Sequence, residues 1–126
     1  MKTVVNCLAV GGAGFAGALT RYFVATFSAR LFGTGFPYGT LVINVSGSLV
    51  LGWFYASIGQ RLIVSDAMRL AVATGFLGAF TTFSTFMYES DALLRDGAAV
   101  KATANLLGSV ILGLIAVRIG ILLARP

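Results

Sequence analysis

Four apolar runs, at about 4–27, 40–58, 68–88 and 98–123, take up most of this 126-residue chain. Each is near or above the ~20 residues that a helix needs to cross a bilayer. The connections left over, around 29–39, 60–67 and 90–97, are too short to hold a water-soluble domain. In hydrocarbon every backbone N–H and C=O must find its partner within the protein, so runs of this length are read as helices. Only 10% of the residues are charged, against the roughly 25% usual in soluble domains. The reading is an all-α membrane protein, with residues 1–126 forming a single integral membrane domain of four transmembrane helices. The first run has a rival reading, since Lys2, an apolar stretch and Ala16-Gly17-Ala18 look like a signal peptide with a small-residue cleavage site. Against it, the run continues past that site into Arg21 and Tyr22.

Charge then bears on orientation. With four spans, Lys2, Arg61, Arg69, Arg118 and Arg125 fall toward one side of the membrane and Arg21, Arg30, Arg95 and Lys101 toward the other. Because the Lys and Arg imbalance directs insertion, five against four gives almost no instruction. A chain that inserts both ways up can pair with its inverted copy about an axis in the membrane plane. An antiparallel, dual-topology homodimer is expected. The net charge of +5 comes from basic residues scattered at span ends, which fits headgroup contact rather than nucleic acid.

Small residues mark faces for close helix contact: Gly11, Gly14 and Gly17 in the first span, Ser48 with Gly52 in the second, Ser109 with Gly113 in the fourth. Tyr22, Tyr38, Trp53, Tyr55 and Tyr88 lie mostly toward span ends, as interfacial aromatics do. Cys7 is the single cysteine, which excludes an intramolecular disulfide.

The chemistry concentrates in GFLGAFTTFSTF, Gly75 to Phe86. Thr81, Thr82, Ser84 and Thr85 have no use in a plain lipid span, and Gly75 and Gly78 loosen a helix where they fall. A break near the middle of the third helix is expected there. It would free backbone carbonyls, which suit a hard cation. Phe80, Phe83 and Phe86 recur at intervals of three, with Phe76 one turn before. Spacing alone leaves such a stripe open between packing and a pore lining. Ring edges are positive, so they can touch a partly dehydrated anion without trapping it, and hydroxyls beside them can replace hydration water. In the second span Thr40, Asn44 and Ser48 share one helical face, and Asn105 and Ser109 repeat the spacing in the fourth. An amide at this depth is costly unless hydrogen-bonded, so each asparagine serves either as interhelical glue or as part of a polar path.

Three strings in order, GGAGFAGALTRYF from Gly11, PYGTLVINVSGSLVLG from Pro37 and GFLGAFTTFSTF, make the chain resemble the bacterial Fluc (CrcB) fluoride channels over essentially its whole length. The resemblance implies a dual-topology homodimer in the bacterial inner (plasma) membrane. It implies two pores that pass fluoride passively, exclude chloride and export cytoplasmic fluoride. By motif position, Phe83 and Phe86 correspond to the pore phenylalanines and Asn44 to the polar residue beside them. Thr82, Ser84, Thr85 and Ser109 belong to the polar wall, and Arg21 to an electropositive vestibule. Gly78 and Thr81 correspond to the positions whose backbone carbonyls hold a structural sodium ion at the dimer interface. The fourth-span pore position is tyrosine in some members, where this chain has Asn105.

A small four-helix, proton-coupled exporter of toxic compounds is the alternative. Coupling needs an intramembrane carboxylate that titrates, whereas Asp66, Glu89, Asp91 and Asp96 read as lying at span ends or connections. An intramembrane enzyme is disfavoured, since the chain has no histidine and no GxSxG or HExxH motif. A purely structural assembly protein would explain the small-residue faces but not the hydroxyl run. The near tie of charges predicts that a tag on either terminus is reachable from both sides of the membrane, which labelling with an impermeant reagent checks; access from one side only overturns dual topology.

Overall fold

The computed structural model describes every residue except Gly59, Arg61 and Pro126. Arg61, counted above for orientation, lies outside the described residues. The elements are α1 (Lys2–Phe32), α2 (Tyr38–Ser57), α3 (Asp66–Arg69), a π-helical stretch (Leu70–Leu77), α4 (Gly78–Phe80), α5 (Phe83–Arg95) and α6 (Ala99–Ala124). From α3 to α5 they form one span, Asp66–Arg95, so four helices are long and apolar enough to cross a membrane. At 31 residues α1 is about 46 Å long, more than the ~30 Å hydrocarbon core, and such a helix tilts or protrudes. It runs unbroken through Ala16-Gly17-Ala18 and packs against the third span.

Local chemistry sets the helix ends. Gly33 (φ 77°) closes α1, its N–H donating to Ala29 O, and Gly97 (φ 73°) turns the chain between α5 and α6. Both conformations cost a residue with a Cβ, so glycine is the natural stop. The Ser65 hydroxyl caps α3 by accepting from Met68 N–H at 3.2 Å. Thr82 caps α5 in the same way through Thr85 N–H at 3.3 Å. Capping by side-chain oxygens meets donors that the first turn leaves open.

Glycines let the helices touch backbone to backbone. A Cβ on Gly52 would stand 2.5 Å from Val117 O, and one on Gly120 would stand 2.8 Å from Trp53 N. Helices α2 and α6 are thereby seated on each other. On the other side of the bundle, Gly17 of α1 abuts Phe76 O, and a Cβ on Gly75 would lie 2.8 Å from Val10 O. Gly47 of α2 makes room for the Thr81 methyl. Ile43, Leu77 and Phe80 form the buried core between these helices, with Val24, Leu51 and Phe76 packed against it.

Several sequence expectations are corrected. Gly11 meets nothing within 4 Å, and Gly120, absent from the small-residue pairs, is among the tightest contacts. Gly75 and Gly78 do not break the third helix. Gly75 is a docking surface and Gly78 keeps helical angles (φ −64°, ψ −34°). The break falls at Thr81 (ψ 158°) and Thr82 (φ −151°, ψ 123°). The π-helical stretch had no sequence signal; its wide turns lie where Gly75 and Phe76 O meet α1.

Gly17→Ala and Gly120→Ala are each predicted to lower stability by about 1–3 kcal/mol, because a methyl must push against backbone. Gly12→Ala, with open space around it, is predicted to cost nothing and to gain up to about 1 kcal/mol in helix propensity. Thermal unfolding of the purified protein checks all three.

Candidate functional site

The break is held by one side chain from another span. Asn44 Oδ1 accepts from Thr82 N–H at 2.8 Å, and Asn44 Nδ2 donates to Thr82 O at 2.9 Å. The amide thus pairs with Thr82 as a neighbouring β-strand residue would, satisfying both backbone groups at a point where helix cannot. Extended backbone at membrane depth is tolerated only when its polar groups are met in this way.

One consequence is electrostatic. In an unbroken helix Thr82 N–H would bond Gly78 O, but here it goes to Asn44, so the Gly78 carbonyl is released from its helical partner. Thr85 N–H goes to Thr82 Oγ1 and leaves the Thr81 carbonyl without an i+4 donor. Leu77 O, by contrast, takes both Thr81 N–H at 3.0 Å and Thr81 Oγ1–H at 2.9 Å. Gly78 and Thr81 line an open groove of about 300 Å³ together with Asn44, Ser48, Thr82 and Phe83. Two released carbonyls on one groove are the donor type that a hard cation selects, although such a cation takes more ligands than two.

The aromatic line does not survive the break. Phe76 and Phe80 stack at 6.0 Å with an 18° interplanar angle, and Phe80 is in the core. They pack rather than line a path. Phe83 and Phe86 lie beyond the break, on α5, and meet edge to face at 6.1 Å and 64°. Phe86 is buried while Phe83 is 74% exposed on a single chain.

Hydroxyls cluster beside these rings. Thr82 Oγ1 donates to Thr85 Oγ1 at 3.0 Å and lies 3.5 Å from Ser84 Oγ. Thr82 is buried, whereas Ser84 and Thr85 are exposed. A second recess, about 320 Å³, is walled by Arg21, Thr40, Thr82, Thr85 and Glu89. Arg21 therefore shares a wall with the hydroxyl cluster. It lies eleven residues before the end of α1, about 16 Å along the axis, farther from the span end than a limit at Phe27 implied. Thr40 and Glu89 continue into a third recess of about 260 Å³ that opens by Pro37 and Asp96. Glu89 corrects the sequence reading. It sits inside α5, not in a connection, and its Oε2 is buried without a hydrogen-bond partner.

On the far side of α5, Ser90 is buried and donates to Phe86 O at 2.7 Å. Asn105 of α6 donates to Ser90 Oγ at 2.9 Å, and Ser109 donates to Asn105 Oδ1 at 3.4 Å. Ser90 escaped the sequence search, Thr40 was read only as part of the second-span polar stripe, and Glu89 was set at the end of the third span. A serine four residues after Phe86, on the same helical face, was the signal for Ser90.

The chain is similar to known proteins over nearly its whole length. A family model described as CrcB-like protein, Camphor Resistance (CrcB), matches residues 8–121. A protein of Trichormus variabilis named fluoride-specific ion channel FluC is 46% identical over 98% of this chain and 90% of its own. A Chloroflexus aurantiacus protein of the same name is 47% identical over 95% of each chain. One from Vibrio parahaemolyticus, also so named, is 42% identical over 94% of this chain and 91% of its own.

Asn44→Leu leaves the Thr82 N–H and C=O unpaired at the break. It is predicted to destabilise the protein by about 2 kcal/mol or more, the order expected when buried backbone groups lose their partners. Denaturant or thermal unfolding in detergent gives the value.

Proposed function

The chain belongs to the CrcB family and is a multi-pass membrane channel of the fluoride class rather than an enzyme, and from the arrangement at the third-span break we propose how it works. It conducts fluoride passively through two pores, each lying along α5 in an antiparallel homodimer of inverted copies in the bacterial inner membrane. The observation that carries this is the edge-to-face pair Phe83–Phe86, set beside the Thr82, Ser84 and Thr85 hydroxyls. Positive ring edges contact a dehydrating anion weakly, and hydroxyls donate to it in place of water. The charge stays low along the path, so the ion is admitted without being held.

Arg21 draws anions toward this wall from the recess it shares with Thr82 and Thr85. An inverted copy laid on the groove at Asn44, Ser48 and Phe83 covers the exposed ring and brings a second set of Gly78 and Thr81 carbonyls opposite the first. These carbonyls are of the donor type that a hard cation takes and would hold a structural sodium ion, whose charge would fasten the two break regions together. Hydrogen fluoride crosses membranes as the neutral acid and ionises inside, and the membrane potential drives the anion outward.

The half-buried carboxylate of Glu89 removes the sequence ground for setting aside a proton-coupled exporter. The two mechanisms differ in what moves charge. Passive anion flux from liposomes stops unless a compensating potassium path is opened with valinomycin and needs no pH gradient, whereas proton-coupled export is driven by one.

Purified protein in liposomes is predicted to release fluoride, with chloride release at background, and only when valinomycin is present. Equal passage of both anions, or none of either, overturns the proposal. Phe83→Ile and Phe86→Ile are each predicted to cut fluoride flux by about tenfold or more, the loss expected when a contact that compensates dehydration is worth more than ~1.4 kcal/mol; unchanged flux in a folded variant returns that ring to packing. Replacing sodium throughout preparation is predicted to weaken the flux, and indifference to sodium removes the cation site.

A further inference from the structure

Asn105 is 1% exposed and Ser90 3% exposed, and between them runs a hydrogen bond from α6 to α5. The chain of donors has a single direction. Ser109 O–H points to Asn105 Oδ1, Asn105 N–H to Ser90 Oγ, and Ser90 O–H to Phe86 O. It ends on the backbone of one of the two rings that form the edge-to-face pair. An interhelical hydrogen bond in a membrane is worth on average only ~0.6 kcal/mol, and an apolar side chain of similar volume would fill the same space without an amide to desolvate. Stability alone is thus a poor reason for an asparagine here. What a directed hydrogen bond supplies, and a leucine does not, is a fixed rotation of one helix against another.

Helix α5 needs that supply. Its N-terminus is held by Asn44 through Thr82, but the break at Thr81 and Thr82 uncouples its rotation from the segment before it. A second hold, two turns on at Ser90, sets the rotation and so the direction in which Phe86 presents its ring.

We propose that Asn105 is a positioning residue for conduction, acting through Ser90 to orient α5 at Phe86 and not by touching the ion. The inference rests on the fluoride-channel reading above. It places Asn105 outside the lined path, although it occupies the fourth-span position facing α5.

The test is a double-mutant cycle on fluoride flux, with Asn105→Ala, Ser90→Ala and the pair, each checked for folding and dimer size. Each single variant is expected to lower flux by about two- to threefold, the effect of shifting the active population by the worth of one interhelical hydrogen bond in a membrane. The pair is expected to lower it no further, because both act through one link. Ser90→Thr, which retains the hydroxyl, is expected to restore most of the flux. If Asn105→Ala costs as much in the Ser90→Ala background as in the wild type, Asn105 acts on the ion directly and the proposal is overturned. Full flux in both single variants also overturns it.

A second readout stands apart from flux. With 4-fluorophenylalanine placed at position 86, the ¹⁹F resonance is expected to shift or broaden in both Asn105→Ala and Ser90→Ala, and to return in Ser90→Thr. An unmoved resonance in folded variants refutes positioning even if flux falls. Absence of fluoride flux from the wild type defeats the channel reading instead, and the ¹⁹F experiment separates the two failures.

Discussion

The two hydrogen bonds between the Asn44 amide and the Thr82 backbone are the constraint on which the rest depends. A helix cannot simply stop inside a bilayer, because its unpaired backbone groups have no water to turn to. Asn44 supplies a donor and an acceptor in the one geometry that an extended residue requires. The break then becomes affordable, and its products follow: carbonyls at Gly78 and Thr81 that have lost helical partners, a threonine free to cap the next helix, and two phenylalanines carried on a segment with its own direction. None of these would exist in a continuous span.

The architecture was largely legible. Hydropathy located four helices because length and apolarity are sufficient to define a membrane span, and it missed their ends because polar residues also occupy helical turns. Glu89 is the instructive case: the last seven residues of α5, Glu89 to Arg95, have mixed polarity, and hydropathy ends the span before them although the helix continues to Arg95. The break was legible as a region but not as a cause. Glycines were the local suspects, yet the partner that makes the break possible is 38 residues away in sequence, beyond anything local propensity records.

The aromatic residues show the same limit from another side. A period of three or four predicts a shared face only while the helix is continuous. Across Thr81 and Thr82 it fails, so Phe76 and Phe80 stack in the core while Phe83 and Phe86 form a separate pair. Composition drew attention to all four rings, and three-dimensional context divided them. The π-helical stretch left no mark at all, since alanine, valine and leucine accept either helical pitch.

Glycine contacts seat α2 on α6, Asn44 ties α2 to the start of α5, and Asn105 ties α6 to its middle. The three helices form a closed triangle in which no member can turn without straining both of the others. In mechanical terms it is a truss rather than a hinge. An element braced from two sides has few directions in which to turn, so the face that α5 presents keeps one orientation relative to α2 and α6.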